Sequence, residues 1–353
     1  MAGSRRSGAW DRSGALSLFS LPDDGDVASH CRAGPPKLFR QLKVFRAKDA
    51  RLGACLRKVR WAALVAAVVA GWLAATAASA APALWLVKNG RAQIYLFGTL
   101  HALPPGAAWR TPAFDAAYAQ AKTVWFEAPL DEVDPRAFSA FVAEHGVDPK
   151  QPLSRKLPPR TLAALARQAD LAEFDHLRPW AAALMLSMQP SPGGPAEGRP
   201  TVGAGADLAL IRAARQSGKT VRTFETLEQQ SWIFAGLSPD AEVRYLTDVI
   251  RERTPRPRLA WWRRPPPDLV AAWLDGDLAR AGPAFVGELK ADNPALYDAL
   301  LRRRNRAWAD VLARELAAGS GVELVGVGAL HMVGEDSLPA LLTARGFEVV
   351  RVQ

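Results

Sequence analysis

Gln93-Ile94-Tyr95-Leu96-Phe97-Gly98-Thr99-Leu100-His101 and Glu323-Leu324-Val325-Gly326-Val327-Gly328-Ala329-Leu330-His331 are two copies of one pattern, an apolar run entering G-x-x-H. A loop, a helical stretch and a second apolar run follow each copy, ending near Phe126 in the first and spanning Phe347 to Val352 in the second. Short apolar runs bounded by glycine read as buried strands. The glycine relaxes the backbone at the strand's C-terminal end, and the histidine falls where α/β folds hold ligands. One G-x-x-H carries no specificity. Two in matching contexts, using two of the five histidines, form a pattern: if the strands are neighbours, the imidazoles converge. His30 lies in a basic N-terminal stretch, while His145 and His176 sit among polar residues and read as surface histidines.

Two imidazoles need a third group to hold a metal. Glu127, in Trp125-Phe126-Glu127, stands at the end of the strand that closes the first unit, on the same sheet rim. Two histidines and one carboxylate suit a divalent transition metal that activates water. The plainer alternative for Glu127 is a helix-capping or salt-bridged surface acid. Glu225, after the short strand expected at 221–224, is a second rim carboxylate and a candidate ligand or general base. Asn305 falls on the apolar stripe of a long helix, where an amide is costly without partners. With Arg304 it is positioned to hold a substrate carbonyl, to orient a ligand, or to make a structural helix-to-loop bond.

The rest of the chain frames these units. Leu84 to Val87 and Gln93 to Phe97 flank Asn89-Gly90, a hairpin signal. The middle is mainly helical: Asp134-Pro135 reads as an N-cap with proline at N1 and Gly146 beyond the end. Further helices are expected at 160–169, 179–188 and 205–217, another from Ser238-Pro239, and one at 335–345. A long helix from Pro294 to Ala318 should carry Tyr297, Leu301, Trp308 and Leu312 on one face. The expected fold is α/β: a largely parallel sheet built from two strand–GxxH–helix–strand units with a mainly helical insertion between them. Gln189 to Pro200 reads as a loop, as does the basic, proline-rich stretch Arg253 to Pro267 with Trp261-Trp262.

The formal net charge of +10 does not signal nucleic acid. Residues 1–60 hold 13 of the 45 basic but only 5 of the 35 acidic residues, so the remainder is nearly neutral. Cys31 and Cys55 also lie there, leaving the rest without disulfide, thiol nucleophile or thiolate metal site. Residues 61–83 are apolar and uncharged, follow Arg57-Lys58-Val59-Arg60, and contain Ala78-Ser79-Ala80. This reads as a secretory signal cleaved after Ala80; the alternative is an uncleaved inner-membrane anchor, since the run is long enough to span a bilayer. Either places the domain at 84–353 outside the cytoplasm, with residues 1–60 a basic extension or a start assigned too far upstream. Gly218-Lys219-Thr220 is no phosphate loop, because position 213 is alanine and a strand follows. H-E-x-x-H, G-x-S-x-G and G-x-G-x-x-G are all absent from the sequence.

On these residues the chain resembles the TraB/GumN family, which includes the Tiki-type proteases. The resemblance covers 84–353, through Tyr95 to His101, Pro104-Pro105-Gly106, Phe126-Glu127, Gly205-Ala206-Asp207, Phe224-Glu225-Thr226, Trp273 with Gly276-Asp277, Arg304-Asn305, and Val327 to His331 with Gly334. It implies a fold like that of the haem-binding ChaN and erythromycin-esterase proteins. For the Tiki branch it implies a metal-dependent peptidase with manganese or cobalt favoured, whose ligand roles fall here on His101, His331 and Glu127. The expectation is therefore an exported or membrane-tethered metal-dependent hydrolase acting on a peptide or protein substrate, with manganese, cobalt or zinc as cofactor. Glu225, or Glu127 if it is no ligand, would take the proton; Arg304 and Asn305 would steady the oxyanion or a substrate carboxylate. Its rivals are a haem- or metal-binding protein without turnover, and a metal-free esterase with a G-x-x-H histidine as general base.

Overall fold

The computed structural model describes residues 81–189, 201–202, 205–254, 268–319 and 321–353. The signal or anchor segment up to Ala80, and nearly all of both proline-rich loops, lie outside the described residues. No helix among the described residues is long and apolar enough to cross a membrane.

The sheet begins with a hairpin, β1 (Leu84–Asn89) and β2 (Ala92–Thr99), paired Asn89 to Ala92. The two-residue loop is Gly90-Arg91, one position later than the Asn-Gly signal suggests. Gly90 takes φ +58°, a left-handed conformation open to glycine at no steric cost. After β3 (Ala102–Leu103) come α1 (Pro112–Gln120) and β4 (Thr123–Phe126). Thr111 caps α1 by accepting from the Phe114 N–H at 3.1 Å, with Pro112 at N1; such a cap contributes about 1 kcal/mol.

The insertion holds α2 (Pro135–His145), α3 (Leu153–Lys156), α4 (Pro159–Leu165), α5 (Leu171–Phe174) and α6 (Pro179–Met188). Asp134 and Gly146 bound α2 as expected. With the later helix Pro239–Arg253, these helices enclose their own core around Trp180, Phe174, Leu186 and Leu246. His145 departs from the surface reading. Its ring packs between Phe141 and Trp232, at centroid distances of 4.6 and 4.7 Å, because the helix face that carries it is also the aromatic face.

The chain then returns to the sheet through β5 (Thr201–Val202), α7 (Ala206–Gln216) and β6 (Thr220–Thr223). Two helices follow, α8 (Leu227–Ala235), started by a reciprocal Thr226–Gln229 capping box, and α9 (Pro239–Arg253). Next are α10 (Leu269–Leu274), α11 (Leu278–Asp292) and α12 (Pro294–Tyr297). A π turn at Asp298–Arg302 joins α12 to α13 (Arg303–Ala318). The second unit closes the chain with β7 (Val322–Gly328), a 3₁₀ turn (Ala329–Met332), α14 (Leu338–Ala344) and β8 (Glu348–Arg351).

The six main strands are ordered β6-β4-β7-β2-β1-β8. β6, β4, β7 and β2 run parallel, and β1 is antiparallel to both β2 and β8. Alternate residues of β2 face opposite cores: Phe97 packs with Phe114 and Trp273, Leu96 with Trp308 and Leu338. The fold is therefore the expected α/β arrangement with a largely parallel sheet.

β2 and β7 are neighbours, in register Phe97 to Gly326, Gly98 to Val327 and Thr99 to Gly328. From β2 the chain passes through α1, on the Phe97 side, to β4; from β7 it passes through α14, on the Leu96 side, to β8. Connections that leave adjacent strands for opposite faces open a crevice at their C-terminal ends, where α/β sheets bind ligands.

The expected single face of the long helix fails too. Tyr297, Leu301, Trp308 and Leu312 do not form a single stripe: the first two join the Phe97 core and the last two the Leu96 core. The π turn between them adds a residue to the turn and rotates the face, and such turns cluster at functional sites. This one delivers Arg304.

Candidate functional site

Leu100 and His101 leave β2 against the start of α7. The Ala206 N–H donates to the Leu100 carbonyl at 2.9 Å. Gly205 permits this contact, since a Cβ there would lie 2.5 Å from the carbonyl oxygens of both Leu100 and His101. The docking places Asp207, in the first turn of α7, on His101 Nδ1. Asp207 is buried, whereas the His101 ring is 62% exposed. The hydrogen bond to the Asp207 carboxylate raises the His101 imidazole to about 9, so the ring is protonated at neutral pH.

His331 sits in the 3₁₀ turn after β7 and is buried. Its Nδ1 lies 2.5 Å from Asn305 Oδ1. Asn305 donates through Nδ2 to the Asp336 carbonyl at 2.8 Å, which fixes the amide orientation and makes Oδ1 the acceptor. Nδ1 therefore carries the proton and Nε2 a lone pair. Burial, with the Arg304 cation beside it, pushes the His331 imidazole down to about 3, so this ring is neutral.

Gly328 and Glu127 form the floor. Gly328 donates its N–H to Glu127 Oε1 at 2.6 Å. A Cβ on Gly328 would stand 3.0 Å from that oxygen, 3.5 Å from His331 Cδ2 and 4.0 Å from His101 Nε2. The three expected ligands thus converge over a residue with no side chain. His331 Nε2 is 3.6 Å from Glu127 Oε1.

Arg304 is the hub. Its Nη2 donates to Glu127 Oε2 at 2.6 Å, its Nε to Glu225 Oε1 at 2.9 Å, and its Nη1 to the Leu300 carbonyl in the π turn at 2.9 Å. Nη1 also lies 3.3 Å from His331 Nε2. Burial alone would favour the protonated Glu127 acid. The positive surroundings of His331, Arg304 and His101 and the Gly328 N–H outweigh it and hold the carboxyl at about 2. Because His331 is neutral, the Arg304 guanidinium and the protonated His101 ring are the charges that remain at neutral pH. Gln230 on α8 adds a side-chain bond to Glu127 Oε2 at 3.3 Å.

Glu225 is bound by Arg304 and by Trp308 Nε1, at 3.1 Å, and stands outside the cavity lining. Its carboxylate holds Arg304 in place, and a general base there would have to give up these donors. Behind it Trp125, Phe224 and Trp308 stack at 5.0 and 4.9 Å, and His331 packs on Trp308 at 4.5 Å. His331 is thus held by tilted ring packing on Trp308 as well as by Asn305.

The structure brings together His101, His331, Glu127, Arg304 and Asn305, with Glu225 one contact behind. Sequence reasoning assigned no role to Asp207, the partner of His101, or to Gln230. The sole trace of Asp207 was its place in Gly205-Ala206-Asp207. A cavity of about 370 Å³ opens over the floor, lined by His101, Glu127, Arg304 and His331 at one end and by leucine, isoleucine and phenylalanine side chains elsewhere. Among the described residues, no three His, Cys, Asp or Glu side chains are gathered tightly enough to form a metal site as they stand.

No solved structure matches the chain. It is 32% identical over 143 residues to the uncharacterized protein YbaP of Escherichia coli (strain K12), and equally to that of Shigella flexneri. The alignment takes in 39% of this chain and 47% of each relative, so the chain spans about half the length of the curated relatives it matches. The TraB/PrgY/gumN family model matches residues 83–351, from the strand before the first G-x-x-H to the strand after the second, and the chain belongs to the TraB/PrgY/gumN family.

Proposed function

We propose that this rim is the reaction centre of an exported or membrane-tethered hydrolase, a peptidase, in which His101, His331 and Glu127 hold a divalent transition metal. One observation carries the reading: the two imidazoles share an orientation. Asp207 takes the Nδ1 of one and Asn305 Oδ1 the Nδ1 of the other, which leaves His101 Nε2 toward Gly328 and His331 Nε2 toward Glu127 Oε1, 3.6 Å away. Metal-binding histidines are oriented by outer partners in this way. Two imidazoles and a carboxylate fit manganese, cobalt or zinc, and the metal would supply a bound water of lowered pKa.

The chain's own residues set the conditions. Arg304 keeps Glu127 ionised and offers a cation where negative charge develops on a cleaved carbonyl. Glu225 and the Leu300 carbonyl hold that guanidinium still. The apolar walls exclude water and strengthen each charge interaction inside. With its raised pKa, His101 must release a proton before its Nε2 can coordinate, so metal affinity should rise from pH 6 to pH 9 with about one proton displaced.

A second reading rests on the Arg304 Nη1 contact at 3.3 Å, which already engages the His331 Nε2 lone pair. It is a metal-free hydrolase in which the His101–Asp207 pair moves the proton. Metal content by mass spectrometry of the full chain, with His101→Ala and His331→Ala alongside, separates the two. The first reading expects about one metal per chain, lost in both folded variants, and peptide hydrolysis stopped by chelation. Hydrolysis that survives chelation and both substitutions sinks both readings. Chelator-indifferent hydrolysis lost in His101→Ala establishes the second.

A further inference from the structure

The cavity floor carries a polar group that the fold does not use. Thr99, the last residue of β2, is 1% exposed, and its Oγ1 has no hydrogen-bond partner among the described residues. The residue lines the cavity, two positions before His101, and pairs with Gly328 in the ladder through its backbone. A buried hydroxyl without a partner is destabilising. Valine would fill the same space and suit a strand better, so the fold gives no reason for threonine here.

Beyond the floor the cavity turns apolar. Ile233 and Phe234 come from α8, Leu269 from α10, Leu289 from α11, Leu300 from the π turn, and Leu330 from the turn that carries His331. The charged and titratable groups of the lining, His101, Glu127, Arg304 and His331, all belong to the rim. A charged side chain entering the apolar limb would lose its hydration and meet no opposite charge.

Resting on the hydrolase reading, we propose that this limb is the subsite for a bulky uncharged side chain of a peptide substrate, with Thr99 Oγ1 hydrogen-bonding the peptide backbone beside the cleaved bond. A hydroxyl donates to a carbonyl and accepts from an N–H, which matches the alternating groups of a peptide. A fatty acyl chain would fill the walls but offers a carboxyl end that only accepts.

The test is ligand binding to the full chain by calorimetry, using N-acetyl-leucinamide, N-acetyl-phenylalaninamide, the α-amide of N-acetyl-glutamate, and octanoate. The leucine and phenylalanine amides should bind about ten-fold tighter than the other two. Leu289→Gln and Ile233→Glu, both at half-buried wall positions, should each remove about ten-fold of that affinity; if Ile233→Glu does not fold, Leu289→Gln decides. Thr99→Val should weaken amide binding about five-fold while the melting temperature stays level or rises. A fall in melting temperature would mean that the hydroxyl serves the fold, and unchanged binding that it does not touch the ligand; either overturns its role. Equal binding of the glutamate amide, or preference for octanoate, overturns the subsite. Amide binding without cleavage of any peptide would keep the subsite and remove the hydrolase. Cleavage indifferent to the neighbouring residue would do the reverse.

Discussion

Replacing Arg304 with methionine keeps the volume of the apolar stem and removes the cation that Glu127 and Glu225 share. The side chains are 10%, 9% and 14% exposed, and the guanidinium contacts them at 2.6 and 2.9 Å. Removing one partner of a buried ion pair costs roughly 3–5 kcal/mol, because the other charge stays behind without compensation. For a domain of this size that lowers the melting temperature by about 10 °C. The pH dependence has a definite sign. Glu127 has its pKa depressed in the fold, from an ordinary 4.5 to about 2. Its contribution to stability is complete above pH 4.5, declines as pH falls below that value, and is gone near pH 2. Arg304→Met forfeits that contribution, so the gap between the two proteins should be widest at pH 7 and narrower at pH 4. The assay is thermal unfolding by circular dichroism at both pH values, with the triple variant Arg304→Met, Glu127→Gln, Glu225→Gln included. Neutralising both acids should restore about half of the loss. A fall below about 2 °C at pH 7, an equal gap at pH 4, or no recovery in the triple variant would refute the reasoning.

Three other outcomes are expected. On the metal-hydrolase reading, Gly328→Ala should weaken metal retention and hydrolysis, because its methyl would crowd Glu127 Oε1 at 3.0 Å. Its φ of −50° suits alanine, so unfolding stability should fall only by the about 1–3 kcal/mol of a crowded site. Asn305→Asp should place a carboxylate on His331 Nδ1 and raise its pKa well above the wild-type value of about 3, a change that a ¹⁵N imidazole titration reads directly. If the wild-type ring already titrates near 6.5, the buried neutral imidazole is wrong. Mass spectrometry of the protein purified from membrane and periplasmic fractions should find a mature chain beginning at Ala81. A chain retaining residues 61–83 would favour the tether.

The legible part of the fold was local. Caps such as Asp134 before α2 and Ser238 before α9 are settled within four residues, and the sequence displays them. The paired G-x-x-H units were legible because a strand end and its histidine are contiguous, and their convergence needed only that β2 and β7 be neighbours. The illegible parts depend on distant packing. Asp207 meets His101 across 106 residues, and no periodicity within α7 distinguishes it from a solvated helix acid. Glu225 read as a candidate base because its rim position was visible while its donors, Arg304 and Trp308 on α13, were not. The π turn at Asp298–Arg302 was hidden for another reason: the sequence around it has good helical periodicity on both sides, and the change of face appears only once both cores are known.

The pairing of β2 with β7 also governs when the molecule becomes whole. Glu127 and Gly328 bond across 201 residues, so a nascent chain that has not yet reached the end of β7 lacks the site. Contacts this distant in sequence carry a high loop-closure cost and slow folding. The β1–β2 hairpin and the helical insertion can form while the C-terminal strand is still missing. During that interval the β7 edges of β2 and β4 are open to pairing with other chains. A site divided between two distant units stays incomplete until the second unit docks, and a chain interrupted before then is left with open strand edges prone to aggregate.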